Sequence, residues 1–501
     1  MKTFLMFADR DFESQQPLPP NSSDLIQDLE LNVLLGAMAQ KDEFLLKTSK
    51  TALLASLTDL DAILYRQEVM KDCLNNPEVV RALYRIPIEA FEKKRHSWLG
   101  VFTHSPGSVL SSAVNLMFMF VTMLRQLRTI ADENASNFHS TGFSRFFSMI
   151  QEELGDEYLD TVEHHLRQLK RSESLLISAL LGPGNEGTGY TLRLPNPRTN
   201  SWIVSALGRK APVFSFTISD RDDAGMRALG DLKDAGVNAA ANALAQAADH
   251  IEVFLDMLRH ELAFYVGCLN LKETLDSTRN PITFPTPHPL ETRSLSFQGL
   301  YDVGLALTLT RPVVGNNLEL DSTNLVVITG ANQGGKSTFL RSVGVAQLML
   351  QAGMFVPATM LEGSLCRGVF THYKRKEDAS MKSGKLDEEL GRMSAIVDKI
   401  TPNATILFNE SFAATNEREG SEIARQITKA LVERQIRVFF VTHMYEFARN
   451  FFEDKTCRGI FLQAERKAGG KRTYQLAEGE PSATSFAEDI YQQVFGENTK
   501  P

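Results

Sequence analysis

Residues 324–338 read Asn324-Leu-Val-Val-Ile-Thr-Gly-Ala-Asn-Gln-Gly-Gly-Lys-Ser-Thr338, an apolar run, a glycine-rich turn and the first turn of a helix. Gly330, Gly335, Lys336 and Ser337 match the G-x-x-x-x-G-K-[ST] spacing of a P-loop, in which backbone N–H groups wrap the phosphates of a nucleotide. Gly330, Gly334 and Gly335 admit dihedrals and a close backbone approach that a Cβ forbids, and the new helix turns its positive dipole end to the phosphates. Lys336 is the expected partner of the β- and γ-phosphates, and the Ser337 hydroxyl that of Mg²⁺. Ala331, Asn332, Gln333 and Thr338 complete the expected nucleotide-binding stretch.

The flanks agree with that reading. Leu325 to Ile328 is continuously apolar, as in a parallel strand covered on both faces. Phe339, Leu340, Val343, Ala346 and Leu350 then recur at helical spacing until Gly353 stops the run.

With 501 residues, 43% apolar and 23% charged, the chain has the length and composition of two to four soluble domains. A net charge of −8 argues against a wholly basic surface, so any nucleic-acid contact must be local. Cys73, Cys268, Cys366 and Cys457 are scattered without a C-x-x-C pair, and read as reduced and buried in a cytoplasmic protein. His164-His165, on a charged helix, reads as a solvated face rather than a metal site. The apolar part of Met1 to Arg10 is too short for a signal peptide. Ser105 to Leu124 carries no charge, yet Pro106, Gly107, its serines and Asn115 make a buried helix the expectation rather than a membrane span.

Along the chain, residues from about Ser22 to Ala135 follow a helical pattern; Ile63, Gln67, Met70 and Leu74 share one face, and Pro77 starts a further helix. Gly142 to Ser178 is again helical and more charged. The breaker cluster Gly182 to Gly189 precedes strand-like stretches at Tyr190 to Leu194 and Val213 to Ile218. A long helix is expected from about Asp222, because Ile251, Phe254, Leu255, Leu258, Leu262, Tyr265 and Leu269 keep a helical period. Pro281, Pro285, Pro287 and Pro289 mark the clearest domain boundary. Strand-like pieces at Ala306 to Leu309 and Asn317 to Leu320 follow.

Two further strands end in polar residues. Ala404 to Phe408 leads into Asn409 and Glu410, where the metal-binding and water-activating positions beside a P-loop are expected. Asn409 offers only a neutral amide oxygen where an Asp is usual; Glu410 is the candidate general base. Ile436 to Thr442 ends at His443, a position suited to sensing the γ-phosphate.

At these residues the sequence resembles the MutS family of DNA mismatch repair proteins. The resemblance rests on Gly330 to Thr338, Val343-Gly344, Gln351 to Ala358, Asn409-Glu410 with the loop Ser411 to Gly420, Thr442-His443, and Tyr474 to Gly479 with Thr484-Ser485. Arg66-Gln67, Pro77 and the helix near Ile251 are similar to the family's helical core and lever. The resemblance implies an ABC-type ATPase using ATP and Mg²⁺, with two composite sites in a homodimer. It makes Ser383, within Met381 to Met393, the candidate signature serine that reaches the opposite nucleotide, and Ser411 to Asn416 the loop between the sites. Phe297 and Tyr301 are candidate adenine stackers, with core packing as the alternative.

Departures also show. The sequence is expected to enter the helical core almost directly, and no counterpart of the mismatch-binding domain is expected in it. Its Phe-x-Glu triplets, at Phe408 to Glu410, Phe451 to Glu453 and Phe486 to Glu488, all lie in the ATPase half. A terminal nuclease module is not expected after the helix expected at Phe486 to Phe495.

The expected architecture is α + α/β: a helical core and lever over 1–280 with a reduced β-containing clamp at about 182–218, then an ABC-type P-loop ATPase domain over 290–501. The expected function is ATP-driven opening and closing of a clamp on DNA, without a membrane role. Arg167, Lys170, Arg171, Arg193, Arg198, Arg209 and Lys210 are candidate phosphate contacts, with exposed charge as the alternative reading of each. Two other functions stay open: a nucleotide-switched clamp on RNA or protein, and a weakly hydrolysing scaffold with Asn409 as its cause.

Overall fold

The computed structural model describes residues 1–97, 106–170, 176–193, 215, 217–219, 221–309, 311–375, 384–454, 457–466 and 472–481. They form two units: residues 1–3, 81–136 and 145–259, and residues 4–80, 137–144 and 260–501.

Helices open the chain: α1 (Ser22–Asp28), α2 (Leu31–Ala39), α3 (Glu43–Leu54) and α4 (Leu60–Asn75). Asp42 and Asp59 cap α3 and α4, each accepting two backbone N–H groups that the first helical turn leaves unpaired. Next come α5 (Pro77–Ser97), α6 (Pro106–Asn134), α7 (Thr141–Glu153) and α8 (Asp156–Lys170), then a hairpin of β1 (Leu176–Leu181) and β2 (Gly187–Arg193), then α9 (Asp223–Thr278).

In the first unit, Leu110 and Val114 of α6 pack with Val237 and Ala241 of α9. Arg125 of α6 pairs with Asp160 of α8 at 2.5 Å. By length and composition α6 could cross a membrane; Val114, Met117, Phe120, Val121, Leu124 and Leu127 are buried, as expected for a helix held in a core. β1 pairs antiparallel with β2 and begins at Leu176, where the charge pattern predicts helix to Ser178. The strand expected at Tyr190 to Leu194 is β2, and that at Val213 to Ile218 falls largely outside the described residues.

The second unit continues with β3 (Thr286–His288), β4 (Leu295–Leu300), α10 (Val303–Leu309), β5 (Asn316–Leu320), β6 (Leu325–Gly330), α11 (Lys336–Gln351), β7 (Met360–Ser364) and β8 (Val369–Tyr373). It closes with α12 (Lys385–Val397), β9 (Thr405–Asn409), α13 (Glu417–Glu433), β10 (Arg437–Val441), α14 (Tyr445–Glu453), β11 (Gly459–Arg466) and β12 (Arg472–Glu478). Ala306 to Leu309, expected as strand, lies in α10. Asp302 overrides the local preference: its Oδ1 accepts the Leu305 N–H at 2.8 Å and its backbone oxygen accepts that of Ala306 at 3.0 Å.

Two sheets organise this unit. The larger runs β12-β11-β6-β10-β9-β8. Its five strands from β11 to β8 are parallel, and β12 is antiparallel to β11. The smaller runs β3-β7-β4-β5. Val441 pairs with both Ile328 and Asn409, so the C-terminal ends of β6, β10 and β9 lie level, where ligands of open α/β sheets gather. On one face Phe408, Phe412, Phe440, Phe447 and Phe451 form an aromatic core. On the other, α11 lies against the sheet: a methyl on Gly344 would sit 2.6 Å from Leu407 Cδ1 and 2.9 Å from Leu29 Cδ2.

Candidate functional site

The turn from β6 into α11 takes left-handed dihedrals at Gly330 (φ 109°), Gln333 (φ 57°) and Gly335 (φ 92°). At Gly330 a methyl would also meet the Ala464 backbone nitrogen at 2.9 Å, so only glycine suits both the dihedral and the space. α11 begins at Lys336 with no side-chain cap, which leaves its first N–H groups and its dipole to whatever binds there.

Lys336 is buried in this turn, its Nζ donating to Gly330 O and Ala331 O at 2.9 Å each. Burial pushes its ammonium down to about 8, with Arg472 acting in the same direction and Glu410 against it. Ser337 Oγ donates to Asn409 Oδ1 at 2.9 Å. That pair, a hydroxyl and a neutral amide oxygen, fits Mg²⁺, which prefers oxygen and keeps several of its waters. Among the described residues no group of three or more His, Cys, Asp and Glu could hold another metal.

Glu410 Oε1 lies 2.8 Å from His443 Nε2. This hydrogen bond, with the nearby Lys374 and Lys336 ammonium groups, holds the Glu410 carboxyl below its usual range against the opposing effect of burial. Strand spacing does not forecast the pair, because it follows from a turn at Glu410 itself, where φ is 54°.

A cavity of about 620 Å³ borders Asn332 to Phe339 and Glu410. Its apolar wall comes from Leu305 and Leu309 of α10 and from Pro312, Val313 and Val314; Asp302, Arg311 and Tyr474 complete the rim. None of these except Tyr474, part of the quoted family motif, was a sequence candidate, although Leu305 and Leu309 stand at helical spacing. Asp302 bonds to Arg341 of α11, which also pairs with Glu30. Tyr474 has a left-handed φ of 61° and is pinned by Asn316, whose side chain donates to Tyr474 O at 3.3 Å and accepts the Leu476 N–H at 2.7 Å.

Of the two candidate stackers, Tyr301 lines the cavity, whereas Phe297 is core, 6.1 Å from the Phe339 ring. Core packing takes Phe297 because β4 turns that side chain under the sheet's covering helix. Ser383, Arg171, Arg198, Arg209, Lys210, Thr484-Ser485 and the helix expected at Phe486 to Phe495 lie outside the described residues. Arg167 pairs with Glu163 at 3.4 Å, Lys170 lies over the Phe118 ring, and Arg193 donates to Ser178 Oγ at 2.9 Å.

Comparison with known proteins bears on both halves of the chain. Residues 58–278 match the MutS2 N-terminal domain, and residues 326–488 match MutS domain V. The chain belongs to the MutS family. The DNA mismatch repair protein MutS of Chloroflexus aurantiacus is 31% identical over 186 residues, 34% of this chain and 19% of that protein. MutS of Thermus aquaticus is 30% identical over 177 residues, 35% of this chain and 22% of its own length. MutS of Thermotoga petrophila is 35% identical over 138 residues, 27% of this chain and 17% of its own. The chain thus spans about a fifth of the length of these MutS relatives. The MutS domain V match contains Lys336, Ser337, Asn409, Glu410 and His443.

Proposed function

We propose that this MutS-family chain binds and hydrolyses ATP at the cavity bordered by Asn332 to Phe339, α10 and Glu410. The observation that carries this is that Lys336, Ser337 and Glu410 border one cavity, with Asn409 bonded to Ser337 and His443 to Glu410. Backbone amides from Asn332 to Thr338 would hold the phosphates, and Lys336 would exchange its two carbonyl partners for phosphate oxygens. Mg²⁺, held through Ser337 and Asn409, would supply charge neutralisation on those oxygens. Glu410, kept ionised, would take the proton of the attacking water, and His443 would steady the carboxylate until it turns to the γ-phosphate.

On this reading residues 290–501 are an ABC-type P-loop ATPase domain that pairs with a second copy. Residues 1–280 are the lever, with the β1–β2 hairpin at the base of a reduced clamp. The partner is DNA, and the protein works in the cytoplasm. The names of the MutS relatives and the exposed Arg167, Lys170 and Arg193 support a DNA partner.

The test is magnesium-dependent ATP turnover together with DNA binding by Glu410→Gln. This variant should retain ATP and lose about 100-fold or more in turnover. With ATP it should prefer one among homoduplex, mismatched, branched and single-stranded DNA, at two salt concentrations. Unchanged turnover rejects the general base; salt-erased background binding rejects DNA in favour of an RNA or protein partner. A second reading, a scaffold with little hydrolysis, is favoured by the neutral Asn409 oxygen. It predicts that Asn409→Asp raises turnover from a near-zero base.

A further inference from the structure

Directly after β9 the backbone makes a turn that local sequence does not favour. Glu410 has φ 54° and Phe412 φ 63°, both left-handed and neither glycine. Such a turn persists only where its surroundings over-determine it. The Glu410 N–H donates to Val441 O at 2.9 Å, which fixes the start of the turn on β10.

The rest is held from behind the sheet. Ser411 is fully buried, its Oγ donating to His372 O and lying 2.7 Å from His372 Nδ1. Burial lowers the His372 ring to about 4, so it is neutral, and its Nε2–H donates to Glu389 O at 3.0 Å. The single Ser411 hydroxyl proton is then shared between Nδ1 and the His372 carbonyl. The His372 ring stacks on Phe412, 5.1 Å between centroids and 17° from parallel. Glu389 of α12, itself buried, accepts the Phe412 N–H through Oε2 at 2.9 Å, while its Oε1 has no hydrogen-bond partner among the described residues. Burial raises the Glu389 carboxyl above its usual range against the opposing effect of the Phe412 N–H, and a buried oxygen left unpaired is a cost that calls for an explanation.

We propose that Glu389 is a positioning residue for hydrolysis: by holding the Phe412 amide, while His372 clamps Ser411 between, it sets the turn that aims Glu410 at His443 and the nucleotide. The inference rests on the assignment of Glu410 as general base. It makes α12 the element through which the catalytic carboxylate is placed, although α12 contributes no side chain to the cavity wall.

The experiment is steady-state MgATP hydrolysis by Glu389→Ala, Glu389→Gln and Ser411→Ala, each alone and with Glu410→Gln. Binding of a fluorescent ATP analogue and the thermal transition are followed in parallel. Glu389→Ala should lower kcat about 10-fold with KM within about 2-fold, because only the placement of the base is lost. Glu389→Gln keeps an oxygen acceptor and should restore kcat to within about 2-fold of the parent. In the Glu410→Gln background Glu389→Ala should add no further loss, since both act through one carboxylate. Should Glu389→Ala fail to fold, Ser411→Ala carries the test, with kcat down about 3-fold at unchanged KM.

Losses in kcat that multiply in the double variant, or affinity falling in step with kcat, would overturn the inference. Full activity in Glu389→Ala beside a crippled Glu410→Gln sinks this inference alone. Unchanged turnover in Glu410→Gln sinks the assignment of the base and this inference with it.

Discussion

Two turns leave the C-terminal edge of the larger sheet, one after β6 and one after β9, and they enter left-handed conformations by opposite means. The 330–335 turn places glycine at two of its three left-handed positions, where the missing Cβ removes the penalty. The 410–412 turn places Glu and Phe there, each at about 1–2 kcal/mol, and offsets the cost with the Ser411–His372 and Phe412–Glu389 bonds and a buried ring. The first conformation is written into the local residues. The second is held by residues 23 or more positions away. A nucleotide cradle can thus persist on its own, while the proposed base depends on the state of its surroundings.

That contrast can be broken most directly at Phe412, which is fully buried among Phe408, Met444 and the His372 ring. Phe412→Ala should cost about 3–5 kcal/mol in urea denaturation. A loss under 1 kcal/mol would mean that packing does not hold the second turn. Gly330→Ala comes next. It forces a methyl against Ala464 N and a left-handed alanine, and should cost about 2 kcal/mol, with weaker binding of a fluorescent ATP analogue.

A third effect concerns proton uptake at Lys336. Its folded ammonium sits at about 8, below the usual lysine value, so folding disfavours the charged form; that penalty is present below about 8 and fades as pH rises towards the unfolded value. Nucleotide phosphates restore a partner to the charge. MgATP affinity should therefore fall above pH 8 with a slope approaching tenfold per pH unit, about 1.4 kcal/mol. Titration calorimetry across pH 7–9.5 checks this, and Lys336→Met should abolish the slope. The smallest expected effect is Ser411→Ala, about 1 kcal/mol of stability, because it removes one buried hydroxyl from a network that keeps its other bonds.

The same contrast explains which parts could be read in advance. β6, β9 and β10 announce themselves as continuous apolar runs, and Gly330, Lys336, Asn409, Glu410 and His443 stand at or just past their ends. Parallel pairing brings level ends together, so strand identity alone predicts that these residues gather at one edge of the sheet. α10 was unreadable because Val-Gly-Leu-Ala-Leu-Thr-Leu favours strand as much as helix, and Asp302 and Arg341 decide it from outside. β1 was hidden behind a helical charge pattern, although the Gly182 to Gly189 breakers sit where a hairpin turn would. The Glu410–His443 bond had no sequence signal, because it depends on a dihedral that Glu rarely adopts.

Gly344 carries a consequence of its own. α11 rests on Leu407 at a distance only a missing side chain permits, and the same helix carries Ser337 two turns earlier, while the strand carrying Leu407 ends at Asn409. Gly344 is therefore the datum from which the separation of the two proposed metal ligands is measured. A shim as thin as one methyl, inserted between helix and strand, would propagate along both rigid parts and register as looser magnesium, at a residue that touches neither metal nor nucleotide.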